Sequence, residues 1–356
     1  MDDDHVPGAA LKQVPVVLLG FGKVGQAFAS LLSEREGFAR QGAKLRLVGV
    51  FDRSGGAIGA DLPAADLLEA KRTSGAVASV PRWGHSRVSP SDALSRYPGA
   101  VLVDVSPTDP DSGEPGLSVV RDALERGHSS VLASKGPLVV AFAELLELAR
   151  RRSCRIGISA AVGTPLPSLE MLHLGLRGTT LVGFRGVFNT TANRILTQME
   201  SGASYHEALK DAERAGILET DPRQDIEGWD TAFKVLILAR SIWRPTIPME
   251  SAEVRGIEGI TGADIARLKE SGRRPRLVGT ARWSPSGDVA IRVGVESLPP
   301  SDPLHWLGPG EKGAQFDTDL LGRFVLRTSG AGPATTAVSI VKDILNIAAH
   351  PIVLAL

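Results

Sequence analysis

The chain is 356 residues long and 43% hydrophobic, enough for two domains with sizeable cores. Its 40 basic and 40 acidic side chains cancel, which removes the electrostatic case for a nucleic acid or an anionic membrane as partner. The single cysteine, Cys154, excludes an intrachain disulfide and thiolate metal sites, and fits a reducing, cytoplasmic setting. Residues 1–13 are polar, carry no secretory signal and read as a flexible tail. No apolar run is long enough to span a bilayer.

Residues 14–19 form a short apolar run that predicts a strand, and residues 23–40 place Val24, Ala27, Phe28, Leu31 and Leu32 at helical spacing. Further apolar strands are predicted over 45–51, 100–105 and 130–133, with helices over 116–126 and 141–152. Apolar strands alternating with helices imply a parallel sheet covered on both faces. After about residue 155 the pattern changes. Residues 179–188, 276–283, 289–295 and 322–328 alternate or carry β-branched side chains, which predicts a second, antiparallel sheet. Helices are predicted over 204–216, 229–243, 263–271 and 335–349, and residues 298–314 read as loop. The expected division is a nucleotide-binding domain of 14–155 with 333–356, and an α+β substrate and dimerisation domain of 156–332.

Gly20-Phe21-Gly22-Lys23-Val24-Gly25 is a G-x-G-x-x-G loop that follows a predicted strand and opens a predicted helix. In that setting the first glycine makes the turn, the second admits a pyrophosphate and the third lets helix and strand pack closely. The helix N-terminus offers its unpaired N–H groups to the phosphates. Asp52, at the end of the second strand, suits the ribose hydroxyls of NAD, whereas Arg53 and Ser54 suit the 2′-phosphate of NADP. The cofactor is therefore read as NAD or NADP; the loop by itself does not separate these from a flavin. Ser106-Pro107-Thr108 and Ser134-Lys135-Gly136-Pro137 follow two further strands, where open α/β sheets bind ligands.

Residues 219–230 hold five carboxylates: Glu219, Asp221, Asp225, Glu227 and Asp230. Lys234 lies four residues after Asp230, on the same helical face. The surrounding stretch 232–239 is apolar nearly all round, which predicts a buried helix. A lysine and an aspartate there are costly unless paired or facing a cavity, and such clusters are where sites tune proton affinity.

Taken together these residues resemble homoserine dehydrogenase. The likeness rests on the glycine loop, on Ser134-Lys135-Gly136-Pro137, on Ala160-Ala161-Val162-Gly163 through Pro167, and on residues 186–193. It continues through residues 216–234, Gly259-Ile260-Thr261, and Gly330-Ala331-Gly332 with Thr336-Ala337. The resemblance implies hydride transfer between NAD(P) and the homoserine/aspartate 4-semialdehyde couple. It implies Lys234 and Lys135 as the lysines near the reacting oxygen, with Glu219, Asp225 and Asp230 facing the substrate's ammonium and orienting Lys234. It also implies Thr191 as a substrate-facing residue, Gly330 and Thr336 at the nicotinamide end, and a homodimer. Ser134 and Ser159 stand where the family has an asparagine and a glutamate, Thr190 where it has a glycine, and Lys312 where it usually has an asparagine. With Ser159 in place of the glutamate, the monovalent cation of some members, and any other metal, is not expected. The chain ends at Leu356, so no ACT-like regulatory domain is expected. The competing readings are a related amino-acid alcohol or aldehyde as substrate, and a catalytically silent nucleotide-binding homologue.

Overall fold

Seven strands build the first sheet: β1 (Lys12–Leu19), β2 (Ala43–Asp52), β3 (Gly55–Ile58), β4 (Gly84–His85), β5 (Val101–Asp104), β6 (Ser130–Leu132) and β7 (Ile156–Gly157). In the computed structural model, which describes residues 12–34, 42–214 and 223–349, their order is β4-β3-β2-β1-β5-β6-β7. β2, β1, β5, β6 and β7 run parallel. β3 and β4 extend the sheet antiparallel beyond β2, an edge absent from the sequence expectation. The middle of β1 and the end of β2 are apolar because helices such as Lys23–Glu34 and Gly116–Glu125 cover the sheet; Val16, Val17 and Leu18 of β1 are fully buried. β1 lies between β2 and β5, so the chain leaves it to opposite sides and opens a crevice at its carboxyl end.

A second sheet holds β8 (Leu181–Val187), β9 (Ala252–Val254), β10 (Arg274–Trp283), β11 (Val289–Leu298), β12 (Lys312–Thr318) and β13 (Arg323–Thr328), in the order β13-β12-β8-β10-β11-β9. It is antiparallel except where β9 joins β11. Its α-helices pack on one face, and the short turn of helix Pro303–Trp306 packs on the other beside Val278. Gly279 of β10 lies against the helix Trp229–Ile242, where an added Cβ would stand 2.6 Å from Val235 and 2.7 Å from Thr231. Ile195, Leu196, Met199, Ile257, Leu277 and Val293 form the core between that sheet and its helices.

The two sheets belong to two compact units. One comprises residues 1–137, 144–158 and 336–356, the other 138–143 and 159–335. From Thr336 onward the helix Pro333–Ala348 serves the first unit. It lies against β7, where a Cβ on Gly157 would stand 2.6 Å from Asp343, and Lys12 Nζ donates to the Ala348 carbonyl at 2.7 Å.

Other sequence expectations change as well. Residues 312–314, the end of the stretch read as loop, open β12, an inner strand that was not expected; its Lys-Gly start and polar Gln315 and Asp317 conceal it, and pairing with β8 and β13 defines it. The helix Thr190–Glu200 was not expected, because Thr190, Thr191 and Asn193 mask an apolar stripe of Ala192, Ile195, Leu196 and Met199. The helix expected to begin at residue 141 begins at Gly136; Ala141, with φ −133°, interrupts it. The parts of the predicted helices that fall in residues 35–40 and 215–216 lie outside the described residues.

Candidate active site

The glycine loop has the geometry of a phosphate cradle. Gly20 has φ +101°, and a Cβ on it would lie 2.8 Å from the Val105 carbonyl. Gly25 would place a Cβ 2.3 Å from the Gly20 oxygen. Gly22 has nothing within 4 Å of its Cβ position. Two glycines are thus required by close packing, and the open space at the middle one fits a pyrophosphate there. The Gly22 carbonyl accepts from Gln26 N at 2.9 Å, so the helix Lys23–Glu34 starts at the cradle. Phe21 is buried beneath the loop, and Lys23 and Val24 open the helix.

Asp52 ends β2 in a dense network. Its Oδ1 accepts from Ser54 N at 2.9 Å and Ser54 Oγ at 2.5 Å; its Oδ2 accepts from Lys71 Nζ at 2.5 Å and Val77 N at 3.3 Å. Burial pushes this carboxyl up, but the hydrogen bonds from Lys71 and Ser54 and the Lys71 charge outweigh it and hold it below the usual carboxylate range. Arg53 beside it is exposed. Lys71 had no signal in the sequence: it is nineteen residues downstream, on the helix Ala64–Ser74, which was itself not expected.

Asp104, at the end of β5, is fully buried. Its Oδ1 accepts from Ser106 N at 2.9 Å, while its backbone carbonyl accepts from Ser134 N at 3.2 Å. Asp104 thereby ties together the two strand ends that carry Ser106 and Ser134. Both serines are buried, whereas Pro107 is exposed. Lys135 caps the helix Gly136–Arg151, and its N–H donates to Thr108 Oγ1 at 3.2 Å. Asp104 Oδ2 has no hydrogen-bond partner among the described residues. Burial pushes this carboxyl up to about 6, against the hydrogen bonds from Ser106. A raised acid favours folding fully only below its unfolded value, and that contribution is lost as pH rises through about 6. Asp104→Asn cannot ionise, so its unfolding free energy relative to wild type is expected to rise by about 2 kcal/mol between roughly pH 4.5 and 8. Urea unfolding at the two pH values measures this; a difference independent of pH would refute the burial cost.

In the second unit, Lys234 Nζ donates to Asp230 Oδ2 at 2.6 Å and to the Phe188 carbonyl at 2.9 Å. Both side chains are largely buried, at 15% and 12% exposure, so this is not a solvated surface pair. Asp230 sits in the first turn of its helix, where the backbone N–H groups favour a negative charge. Asn189 Nδ2 donates to Asp225 Oδ1 at 2.6 Å and to Asp230 Oδ2 at 2.8 Å. The same side chain caps the helix Thr190–Glu200, its Oδ1 accepting from Ala192 N at 2.9 Å. The structure therefore gathers Asp225, Asp230 and Lys234 around Asn189, a residue the sequence reading quoted but did not assign to the site. Its signal was an asparagine one residue ahead of an amphipathic stripe. Thr191 is buried in the first turn of that helix. Glu219 lies outside the described residues.

Ser159 Oγ donates to Glu170 Oε1 at 3.3 Å, so an acid missing from position 159 is present beside it in space. The Gly330 N–H donates to Thr328 Oγ1 at 3.1 Å, and Thr336 lies half-buried in the last helix. Among the described residues no group of three or more His, Cys, Asp or Glu is placed to hold a metal ion, and no helix is long and apolar enough to cross a membrane.

A model of the homoserine dehydrogenase family matches residues 167–345. A homoserine dehydrogenase of Methanocaldococcus jannaschii is 32% identical, over 93% of this chain and 98% of its own. An NAD(+)-dependent homoserine dehydrogenase of Pseudomonas canavaninivorans is 31% identical, over 95% of this chain and 97% of its own. A hyperthermophilic archaeal homoserine dehydrogenase solved in complex with NADPH superposes with a TM-score of 0.80 at 28% identity, covering 94% of this chain and 98% of that one.

Proposed function

The chain belongs to the homoserine dehydrogenase family, and we propose that Lys234 carries the proton in its reaction. The enzyme interconverts L-homoserine and L-aspartate 4-semialdehyde, a step toward threonine and methionine, using NAD or NADP. When bound at the glycine cradle, the nicotinamide supplies or receives the hydride. The proton on the substrate's terminal oxygen is left to the protein. The observation that carries the proposal is the buried Asp230–Lys234 pair. An ammonium has three N–H donors, and Asp230 and the Phe188 carbonyl engage two of them. The third is the one we assign to the substrate's oxygen. Lys135 is proposed as the second lysine acting on that oxygen. Asp225 and Asp230, held side by side by Asn189, form an acidic patch suited to the substrate's ammonium; Glu219 and Thr191 are proposed to complete it. Gly330 and Thr336 are assigned to the nicotinamide end.

The proposed domains are a nucleotide-binding part (14–155 with 333–356) and a substrate-binding part (156–332). We place the enzyme in the cytoplasm, a setting its one buried cysteine suits. A homodimer is proposed through the face of the second sheet opposite its α-helices. Thr280 and Arg282 of β10 and Ala290 and Arg292 of β11 alternate with the helix-facing Gly279 and Ala281. Leu320, Leu321 and Val325, on the β12–β13 hairpin, are exposed at 78%, 54% and 43%. Sedimentation velocity at the dimer mass checks this.

The Asp52 network bears on the cofactor. With Lys71 neutralising Asp52, and with Arg53 and Ser54 alongside, a 2′-phosphate meets no net repulsion. NADP is therefore accepted as well as NAD. Steady-state rates with L-homoserine and each cofactor test the function directly. In Lys71→Ala, kcat/KM for NADP relative to NAD is expected to fall at least about tenfold, the worth of one charge-assisted hydrogen bond. An unchanged ratio would remove Lys71 from cofactor choice.

A further inference from the structure

Lys312 opens the inner strand β12 and is only 9% exposed. Burying an ammonium is costly unless its charge is used, and a methionine would fill similar space without that cost. Its Nζ donates to the Thr164 carbonyl at 2.5 Å. Thr164 belongs to a turn in which Gly163 has φ +89° and Pro165 has no N–H to offer. That turn rests on Phe188: a Cβ on Gly163 would stand 2.9 Å from the Phe188 ring. The same ring closes over β8, where a Cβ on Gly186 would meet it at 2.8 Å and the Gly313 carbonyl at 2.6 Å. The Phe188 carbonyl in turn accepts from Lys234 Nζ at 2.9 Å. A continuous path of contacts thus leads from the Lys312 ammonium through the turn and the Phe188 ring to Lys234.

We propose that Lys312 is a positioning residue, a built-in cation that fixes the Gly163–Pro165 turn on Phe188 and thereby aims Lys234 at the substrate. The proposal rests on the reading of Lys234 as the proton carrier. It makes Lys312 necessary for its charge, which distinguishes it from a space-filling core residue. A small cation able to donate hydrogen bonds can then take its place once the side chain is removed.

The test compares wild type, Lys312→Ala and Lys312→Met with L-homoserine at fixed ionic strength in sodium, ammonium, methylammonium or tetramethylammonium chloride. Wild-type kcat is expected to be the same in all four. Lys312→Ala is expected to lose kcat about 10- to 100-fold, with the KM for homoserine and the cofactor Kd changed less than about threefold. Ammonium or methylammonium should restore at least about tenfold of that loss, and tetramethylammonium, which has no N–H, should restore none. Lys312→Met fills the hole without a charge, so it should be as slow as the alanine variant and stay so in every salt. Wild-type kcat in Lys312→Met would overturn the proposal, as would a folded alanine variant that no ammonium rescues. If the alanine variant does not fold, the methionine variant decides alone. A wild-type enzyme inactive on homoserine would instead count against the function assigned above.

Discussion

Lys234→Ala is expected to lower kcat for homoserine by about 10²- to 10⁴-fold, the range supplied by one positioned proton-transfer group. Two effects are mixed in that substitution and separate experimentally. Removing the ammonium leaves the Asp230 carboxylate, 12% exposed, without the partner that it meets at 2.6 Å. Stranding one member of a buried pair costs about 3–5 kcal/mol, and Asn189, still donating at 2.8 Å, brings the figure to the lower end. That loss appears as a lower Tm. The kinetic loss appears in kcat of protein that is folded at the assay temperature. NAD(P)H affinity, titrated by fluorescence, should stay within a few-fold, because the glycine cradle belongs to the other compact unit. Weak cofactor binding with normal turnover at saturation would show that Lys234 has no part in the chemistry.

Alanine at the two later glycines of the cradle should give opposite signatures. At Gly22 the new methyl meets nothing within 4 Å, so the free protein should keep its stability to within about 1 kcal/mol, the scale of a helix-cap change. The same methyl would occupy the approach proposed for the pyrophosphate, and the Kd for cofactor should rise at least about 100-fold, equivalent to roughly 2.7 kcal/mol. At Gly25 the methyl would stand 2.3 Å from the Gly20 oxygen, so loop and helix must separate. There both Tm and cofactor affinity should fall together. Calorimetric titration beside thermal unfolding distinguishes the two; equal loss of Tm at both positions would contradict the open space at Gly22.

What was legible in the sequence follows from locality. The glycine loop is a local pattern with local causes: Gly20 and Gly25 are closely packed and the Cβ position of Gly22 is open. The Asp230–Lys234 pair was legible because four residues along one helix guarantee proximity. Asn189 was half legible: its cap is a local feature, but its bridge to Asp225 and Asp230 spans 36 and 41 residues. Lys71 and Lys312 were not legible as partners. Lys71 reaches Asp52 from a helix nineteen residues on, and Lys312 reaches Thr164 across 148 residues from a strand defined by its neighbours. Pairing of that kind depends on tertiary context that single-sequence periodicity does not carry.

The chain passes between its two units four times, after residues 137, 143, 158 and 335. Neither unit is therefore a continuous stretch of polypeptide. During synthesis β1 to β7 emerge first, yet the helix that seats on β7 and receives Lys12 follows every strand of the second sheet. The unit begun first is thus closed only after the residues of the other unit have been made. A change in the helix Pro333–Ala348 thus acts on the unit that carries the glycine loop, however far away in sequence its glycines lie.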